Sequence, residues 1–227
     1  MTQEHEQPTD ADELAQPVTP EDAAQERPRR SGWRDLVQFV VAFAVMLGCI
    51  WLLRLFVIEP FTIPTGSMLP TIQLKDSVYA EKVSLWFDKE PQVGQVYTFT
   101  SPVAGDDGTH ETLIKRVIAT GGQTVELKGG PAVVGGVEVY EPYRVLVDGV
   151  ELDEPYTDGK ESAPLVGHSP DIDPITYPYK VPEGYLWVMG DNRTNSQDSR
   201  YFGAIPVSSV TSKALFVFWP LEDIGAI

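Results

Sequence analysis

The sequence predicts a mostly β domain of antiparallel, curled sheets carried behind one N-terminal transmembrane helix. Three observations predict it. An apolar run from Leu36 to Leu53 holds only one strongly polar residue, Gln38. Beyond it, short segments rich in Val, Tyr, Thr and Phe alternate with turn residues, and no amphipathic helical window follows Val57. Glycine and proline each number 19 among 227 residues, which favours turns and strands over a helical bundle.

Taken in order, the first element is a tail. Residues 1–26 carry eight acidic groups, no Lys or Arg and almost no large apolar side chains. Such a segment cannot bury enough surface to offset its ordering entropy, so residues 1–34 read as a disordered acidic tail with a basic juxtamembrane end. Arg27, Arg29, Arg30 and Arg34 form that end, the most basic patch in the chain.

The second element is the anchor, residues 35–58. Eighteen residues at a rise of about 1.5 Å span ~27 Å, close to the hydrocarbon thickness. Arg54 can snorkel to the headgroups, and Trp33 and Trp51 suit the interfaces. The basic flank precedes the span, while only Arg54 faces Glu59 after it. The positive-inside rule therefore places the N-terminus in the cytoplasm and the rest outside a plasma membrane crossed once. The anchor reads as retained, because the one Ala-x-Ala, Ala42-Phe43-Ala44, lies in mid-span.

The third element, residues 59–227, is the extracytoplasmic domain. It carries 24 acidic against 12 basic side chains, and the whole chain has a net charge of −16. That balance argues against nucleic acid as a partner, since neutralising phosphates needs clustered cations. Strands are expected at 77–87, 95–101, 112–120, 123–128, 139–152, 185–190 and 208–219, with Asp148-Gly149 as a hairpin turn. Residues 157–183, rich in proline, read as a long surface loop inserted in the domain. Asp171 and Asp173 within it read as solvated. The single cysteine, Cys49, rules out an intrachain disulfide, and with three scattered histidines a zinc site is not expected. No metal or organic cofactor is expected.

Chemistry concentrates in three stretches. "FTIPTGSMLPTIQLKD", residues 61–76, places Ser67 after Gly66 in a turn restrained by Pro64 and Pro70. A turn serine reads the same way from this stretch alone. As a nucleophile Ser67 needs a base. His5 lies before the membrane span, His110 in an exposed-looking loop and His168 in the proline-rich loop. In "ETLIKRVIATGG", strand alternation puts Lys115 with Leu113, Val117 and Ala119, and Arg116 with Ile114 and Ile118. Burial among apolar groups lowers a lysine pKa, whereas arginine stays charged, so Lys115 is the better base candidate. Periodicity also admits a snorkelling surface lysine. "MGDNRTNSQDSRYFG", residues 189–203, crowds Asp191, Arg193, Ser196, Asp198 and Arg200 behind a strand. Pairs among these charges would stiffen a loop, and Ser196 could orient an amine.

In this order the three stretches resemble the serine, lysine and C-terminal boxes of bacterial type I signal peptidases, the Ser-Lys leader peptidases. The resemblance covers about residues 58–220 and the anchor, and includes "VDGVELDEPY" and "VPEGYLWVMGDNR". It implies the curled β fold shared with the self-cleaving repressors. It implies removal of signal peptides from preproteins after small residues of the Ala-x-Ala type. The secretion translocon would be a further partner beside the lipid bilayer. Residue by residue, Ser67 matches the nucleophile and Lys115 the general base. Thr65 matches a hydroxyl that joins the Ser67 N–H in the oxyanion site, and Ser196 the hydroxyl that orients the lysine. Asp198 and Arg200 match a structural ion pair, with Asp191 and Arg193 in support. Phe61, Ile63 and Ile114 match the lining of shallow substrate pockets. Thr65 stands where serine is common, Thr194 where aspartate is frequent and Phe202 where tryptophan is common. Competing readings are a Ser-His enzyme using His110, a non-catalytic anchored β module that binds leaders or surface partners, and a self-cleaving repressor, which the membrane span disfavours.

Overall fold

A computed structural model describes residues 32–87, 90–105, 107–170 and 172–227. The acidic tail, Arg27, Arg29, Arg30 and Asp171 lie outside the described residues. The chain divides between Cys49 and Ile50 into two compact units.

Helix α1 (Gly32–Phe56) contains no proline and opens with Asp35 in its first turn, where a carboxylate suits the helix dipole. It is long and apolar enough to cross a membrane, and its side chains from Gly32 to Arg54 are exposed. A helix satisfies its own internal backbone groups, which is what a bilayer demands of a spanning segment. Pairing takes over at Ile58, within the anchor range read from hydropathy, where β1 (Ile58–Thr62) begins opposite Glu81. Pro60 is tolerated there because β1 is an edge strand.

The domain then runs through β2 (Ser77–Glu81), α2 (Val83–Trp86), β3 (Val96–Thr100), β4 (Thr112–Thr120), β5 (Thr124–Val134), β6 (Val137–Val147) and β7 (Val150–Glu151). It continues with β8 (Tyr179–Lys180), β9 (Tyr185–Met189), α3 (Ser199–Phe202), β10 (Ile205–Pro206), β11 (Val210–Trp219) and β12 (Gly225–Ala226). One curled antiparallel sheet has the order β1-β2-β11-β3-β4-β9-β10, with β12 added on β11. A second sheet has the order β7-β6-β5-β8. The mostly β expectation holds. Val125, Val145 and Val147 of the second sheet pack with Ile118, Ala119, Trp187 and Met189 of the first into a buried cluster. At about 25 cal/mol per Å² of apolar surface removed from water, such clusters supply the main force holding the sheets together.

Two expectations are corrected. The strand read over 77–87 stops at Glu81, because the Glu81 carboxylate accepts from the Ser84 N–H (2.9 Å) and the Ser84 hydroxyl and starts the turn of α2. The strand read over 123–128 continues to Val134 and returns through a hairpin at Gly135-Gly136. Asp148-Gly149 does form the second hairpin, both residues at positive φ, as a tight β-turn requires. The segment 157–183 is largely irregular, with β8 its only strand among the described residues, and its last third packs on the core. Ile175, Tyr177 and Tyr179 pack on the cluster around Trp187, Val181 is buried, and Tyr179 pairs with Val125. These four residues alternate with exposed Thr176, Pro178 and Lys180, a period of two concealed by prolines that read as breakers.

Candidate active site

The loop joining β1 to β2 is closed at its base by two hydrogen bonds: Ile63 N–H to the Asp76 carbonyl and Lys75 N–H to the Ile63 carbonyl, both 2.8 Å. Ile63, Met68 and Ile72 sink into a cluster with Val78, Val96, Ile114, Ala214 and Val217. That burial pins the turn on both sides of Ser67. The Asp76 carboxylate accepts from Gln73 N–H (2.8 Å) within the same loop.

β4 delivers Lys115 to this turn. It is held between β3, where Tyr97 opposes Lys115, and β9, where Met189 opposes Arg116. Lys115 is 3% exposed, which excludes the surface-lysine reading. Its Nζ donates to Ser67 Oγ (2.8 Å) and to the Ile114 carbonyl (2.9 Å). Burial disfavours the ammonium and pulls the Lys115 pKa down to about 8, against the opposing fields of Asp198 and then Asp191. An amine near neutrality beside an alcohol is the arrangement that lets one take the other's proton.

The segment after β9 closes over the turn. Asn192 N–H donates to the Ser67 carbonyl (3.0 Å), and Asn192 Nδ2 donates to the Gly66 carbonyl (2.8 Å). A Cβ on Gly190 would overlap the Ser67 carbonyl and the Ser196 side chain, so only glycine allows this approach. Three buried ion pairs stiffen the surroundings. Arg116 Nε and Nη2 grip Asp191 at 2.9 and 2.6 Å, and Thr71 Oγ1 adds a bond to Asp191 (2.5 Å). Arg200 Nε and Nη2 grip Asp198, both at 2.9 Å. Arg193 Nη1 and Nη2 grip Glu154 at 2.8 and 2.6 Å. Burial acts to raise the Asp198 pKa, but the Arg200 charge and its hydrogen bonds, with the Gly190 N–H, hold it below the usual carboxylate range.

Of the residues singled out from sequence, Ser67 and Lys115 meet directly, and Asp198 pairs with Arg200. Asp191 and Arg193 do not pair with each other; their partners are Arg116 and Glu154. Sequence reasoning missed both partners, since Arg116 is 75 residues from Asp191 and Glu154 is 39 from Arg193. It also missed Tyr156, whose ring lies 4.1 Å below the Arg116 guanidinium, and Lys160, which bonds Asn192 Oδ1 (3.2 Å). No spacing announces these contacts. Ser196 Oγ is buried near Gly190 but has no hydrogen-bond partner among the described residues, so it does not bond Lys115 here. Thr65 is exposed on the same turn as Ser67. Phe61 is half-buried, while Ile63 and Ile114 belong to the core cluster that carries the turn. His110 is exposed, with Nδ1 against the Ser101 carbonyl (2.7 Å), and His168 Nδ1 lies against the Ser169 carbonyl (2.8 Å); neither bonds Ser67.

Residues 36–219 match the model of the family described as signal peptidase, peptidase S26. A probable signal peptidase I-1 of Synechocystis sp. is 37% identical over 210 residues, covering 89% of this chain and 92% of that one. A signal peptidase I of Leptolyngbya laminosa is 32% identical over 230 residues, covering 100% of this chain and 97% of that one. A signal peptidase I of Mycobacterium tuberculosis is 29% identical over 247 residues, covering 90% and 80%. With the boxes, the apolar helix and these matches in agreement, the chain belongs to the signal peptidase family of serine peptidases, peptidase S26.

Proposed function

We propose that this membrane-anchored signal peptidase cleaves through a Ser67–Lys115 dyad. The observation that carries the reading is the 2.8 Å contact between Lys115 Nζ and Ser67 Oγ at a buried site. Neutral Lys115 takes the Ser67 proton as Oγ attacks the carbonyl after the leader's last small residue. The tetrahedral oxygen anion sits against the Ser67 N–H and the Thr65 hydroxyl. Collapse breaks the peptide C–N bond, and the mature protein's amine leaves with the proton held by Lys115. Lys115 then deprotonates a water, which displaces Ser67 and frees the leader. Ser196 is proposed to bond the lysine once a substrate settles the turn. Asp198–Arg200, Asp191 and Arg193 hold the surrounding loop. Phe61, Ile63 and Ile114 would line pockets for small residues.

The chain is read as an N-terminal tail over 1–34, an anchor over 35–58 and a peptidase domain over 59–227. The basic flank before the span supports a cytoplasmic N-terminus and a catalytic domain outside the plasma membrane. Anchoring keeps enzyme and membrane-tethered leaders in one thin layer, which supplies proximity. The secretion translocon, which hands over such leaders, is the neighbouring partner. The test is a preprotein cleavage assay in detergent with the wild type, Ser67→Ala, Lys115→Met and His110→Ala. Both dyad variants should be inactive and His110→Ala fully active. Activity in Lys115→Met with loss in His110→Ala would replace the dyad with a Ser-His site.

A further inference from the structure

We propose that Asn192 is a positioning residue that aims the Ser67 N–H at the substrate carbonyl, and that Lys160 sets the orientation of the Asn192 amide. The inference rests on the Ser67–Lys115 reading and adds to it a device for the oxyanion donor.

The Ser67 N–H makes no hydrogen bond to any described residue, so it is available to a ligand. Its direction is not free. The Gly66–Ser67 peptide is trans, since the cis bonds lie elsewhere. In a trans peptide the carbonyl and the N–H share a plane and point in opposite directions. Fixing the Gly66 oxygen therefore fixes where the Ser67 N–H points. Asn192 Nδ2 holds that oxygen at 2.8 Å, and the Asn192 N–H holds the next carbonyl, that of Ser67, at 3.0 Å. One residue thus grips the chain on both sides of the nucleophile's α-carbon. The only other described donor to the Gly66 oxygen is Leu69 N–H, at a longer 3.3 Å.

An asparagine amide can present either its NH2 or its oxygen to a neighbour, and its surroundings decide which. Lys160 Nζ donates to Asn192 Oδ1 (3.2 Å), and Thr194 Oγ1 lies 3.4 Å from the same oxygen. The reversed amide would set its NH2 against an ammonium and its oxygen against the Gly66 carbonyl, two repulsions in place of two attractions. Asn192 is 6% exposed, so these interactions act with little competition from water. Lys160 is itself tied back, its N–H donating to the Thr157 carbonyl (3.2 Å). It follows Glu154 and Tyr156, which hold Arg193 from the same stretch of chain. The segment beginning at 154 therefore reaches the nucleophile turn through one amide.

The experiment uses the full-length chain in detergent with a leader-containing preprotein, and a leader-peptide aldehyde as probe. Ser67 Oγ adds to the aldehyde carbon, the C=O π pair becomes the oxygen anion, and Lys115 takes the hydroxyl proton, so the adduct needs the same N–H donor as the reaction. Deleting an oxyanion donor lowers kcat by about 10²–10³-fold, and misaiming one forfeits part of that. Asn192→Ala should lower kcat about 10–100-fold with KM within about twofold of the wild type. Aldehyde affinity should fall in step with kcat, and the pH limb set by Lys115 should stay in place. Lys160→Met, at a half-buried position that threatens folding less, should lower kcat about three- to tenfold through loss of one charged hydrogen bond. The double variant should be no slower than Asn192→Ala alone, because Lys160 acts only through that amide. Unchanged kcat in both single variants, a shifted pH limb, or multiplying losses in the double variant would overturn the inference. Ser67→Ala separates the two levels: if it stays active the dyad reading itself falls, whereas if it is dead while Asn192→Ala and Lys160→Met run at full kcat, only this inference falls.

Discussion

Lys115 and Arg116 are neighbours on β4, both nearly excluded from solvent, yet they sit in opposite electrostatic settings. Arg116 has a bidentate bond to Asp191, a bond from Nη1 to the Gly94 carbonyl (2.6 Å) and the Tyr156 ring beneath it. Lys115 forms no ion pair among the described residues, and its Nζ meets only a neutral hydroxyl and a carbonyl. Strand alternation is what allows this, since consecutive side chains leave on opposite faces. The difference teaches that two buried cations next to each other need not be treated alike. The one that must stay charged is an arginine with a full set of acceptors. The one proposed to lose its proton is a lysine left short of them.

The largest break in that contrast is to make both residues alike. In Lys115→Arg, a guanidinium that never deprotonates replaces the amine. The expected loss of preprotein cleavage is at least about 10⁴-fold, comparable with removing the nucleophile. Purified Lys115→Arg that still cleaves within tenfold of the wild type would show that no neutral amine is needed.

The next effect is on the other side of β4. Asp191→Asn keeps the size and removes the charge, leaving Arg116 buried and unpaired. Breaking a buried pair from one side destabilises by about 3–5 kcal/mol. Denaturation of the purified chain, followed by tryptophan fluorescence, measures it. A loss under about 1 kcal/mol would mean that water reaches the guanidinium once the carboxylate is gone. Asp198→Asn should behave in the same way through Arg200, since that pair is equally buried.

These partners mark where sequence reading runs out. The Asp148-Gly149 turn and the first part of the β4 alternation were legible because each is a local pattern, but the alternation fails after Val117, where an irregularity puts Ile118 and Ala119 into one cluster. Ser67 and Lys115 each stood beside an equally local reading, a turn serine and a surface lysine, and the resemblance of the three stretches to the signal-peptidase boxes is what singled them out. The Arg116–Asp191 and Arg193–Glu154 pairings were not legible, because any acidic residue in a chain with 33 of them could have served. Only the β4–β9 register and the path of the chain after β7 select the partner. The packed strand-like run of Ile175, Tyr177, Tyr179 and Val181 was hidden for another reason. Its prolines fall on the exposed positions, where they block no ladder bond, but read from sequence they break the pattern.

The smallest effect sharpens the comparison most, because Lys115 should make the molecule sensitive to mildly alkaline pH. Its pKa falls from 10.5 to about 8 on folding, because burial penalises the ammonium. Cleavage under kcat/KM conditions should therefore rise about tenfold per pH unit below pH 8 and level off above it. Stability carries the same signature with a definite sign. Between pH 8 and 10.5 the unfolded chain binds a proton at this lysine and the folded chain does not. The stability contributed by the group therefore rises with pH across that window, and below pH 8 its burial is at its most unfavourable. The full span amounts to roughly 3 kcal/mol. Lys115→Met removes the titrating group, so its stability relative to the wild type should be highest near pH 7 and decline toward pH 10.5. Arg116→Met leaves Lys115 in place and should show no such drift. A Lys115→Met difference that is flat with pH would mean the folded lysine titrates as it does in the unfolded chain. The contrast between the two neighbours would then be one of geometry without a consequence for protonation.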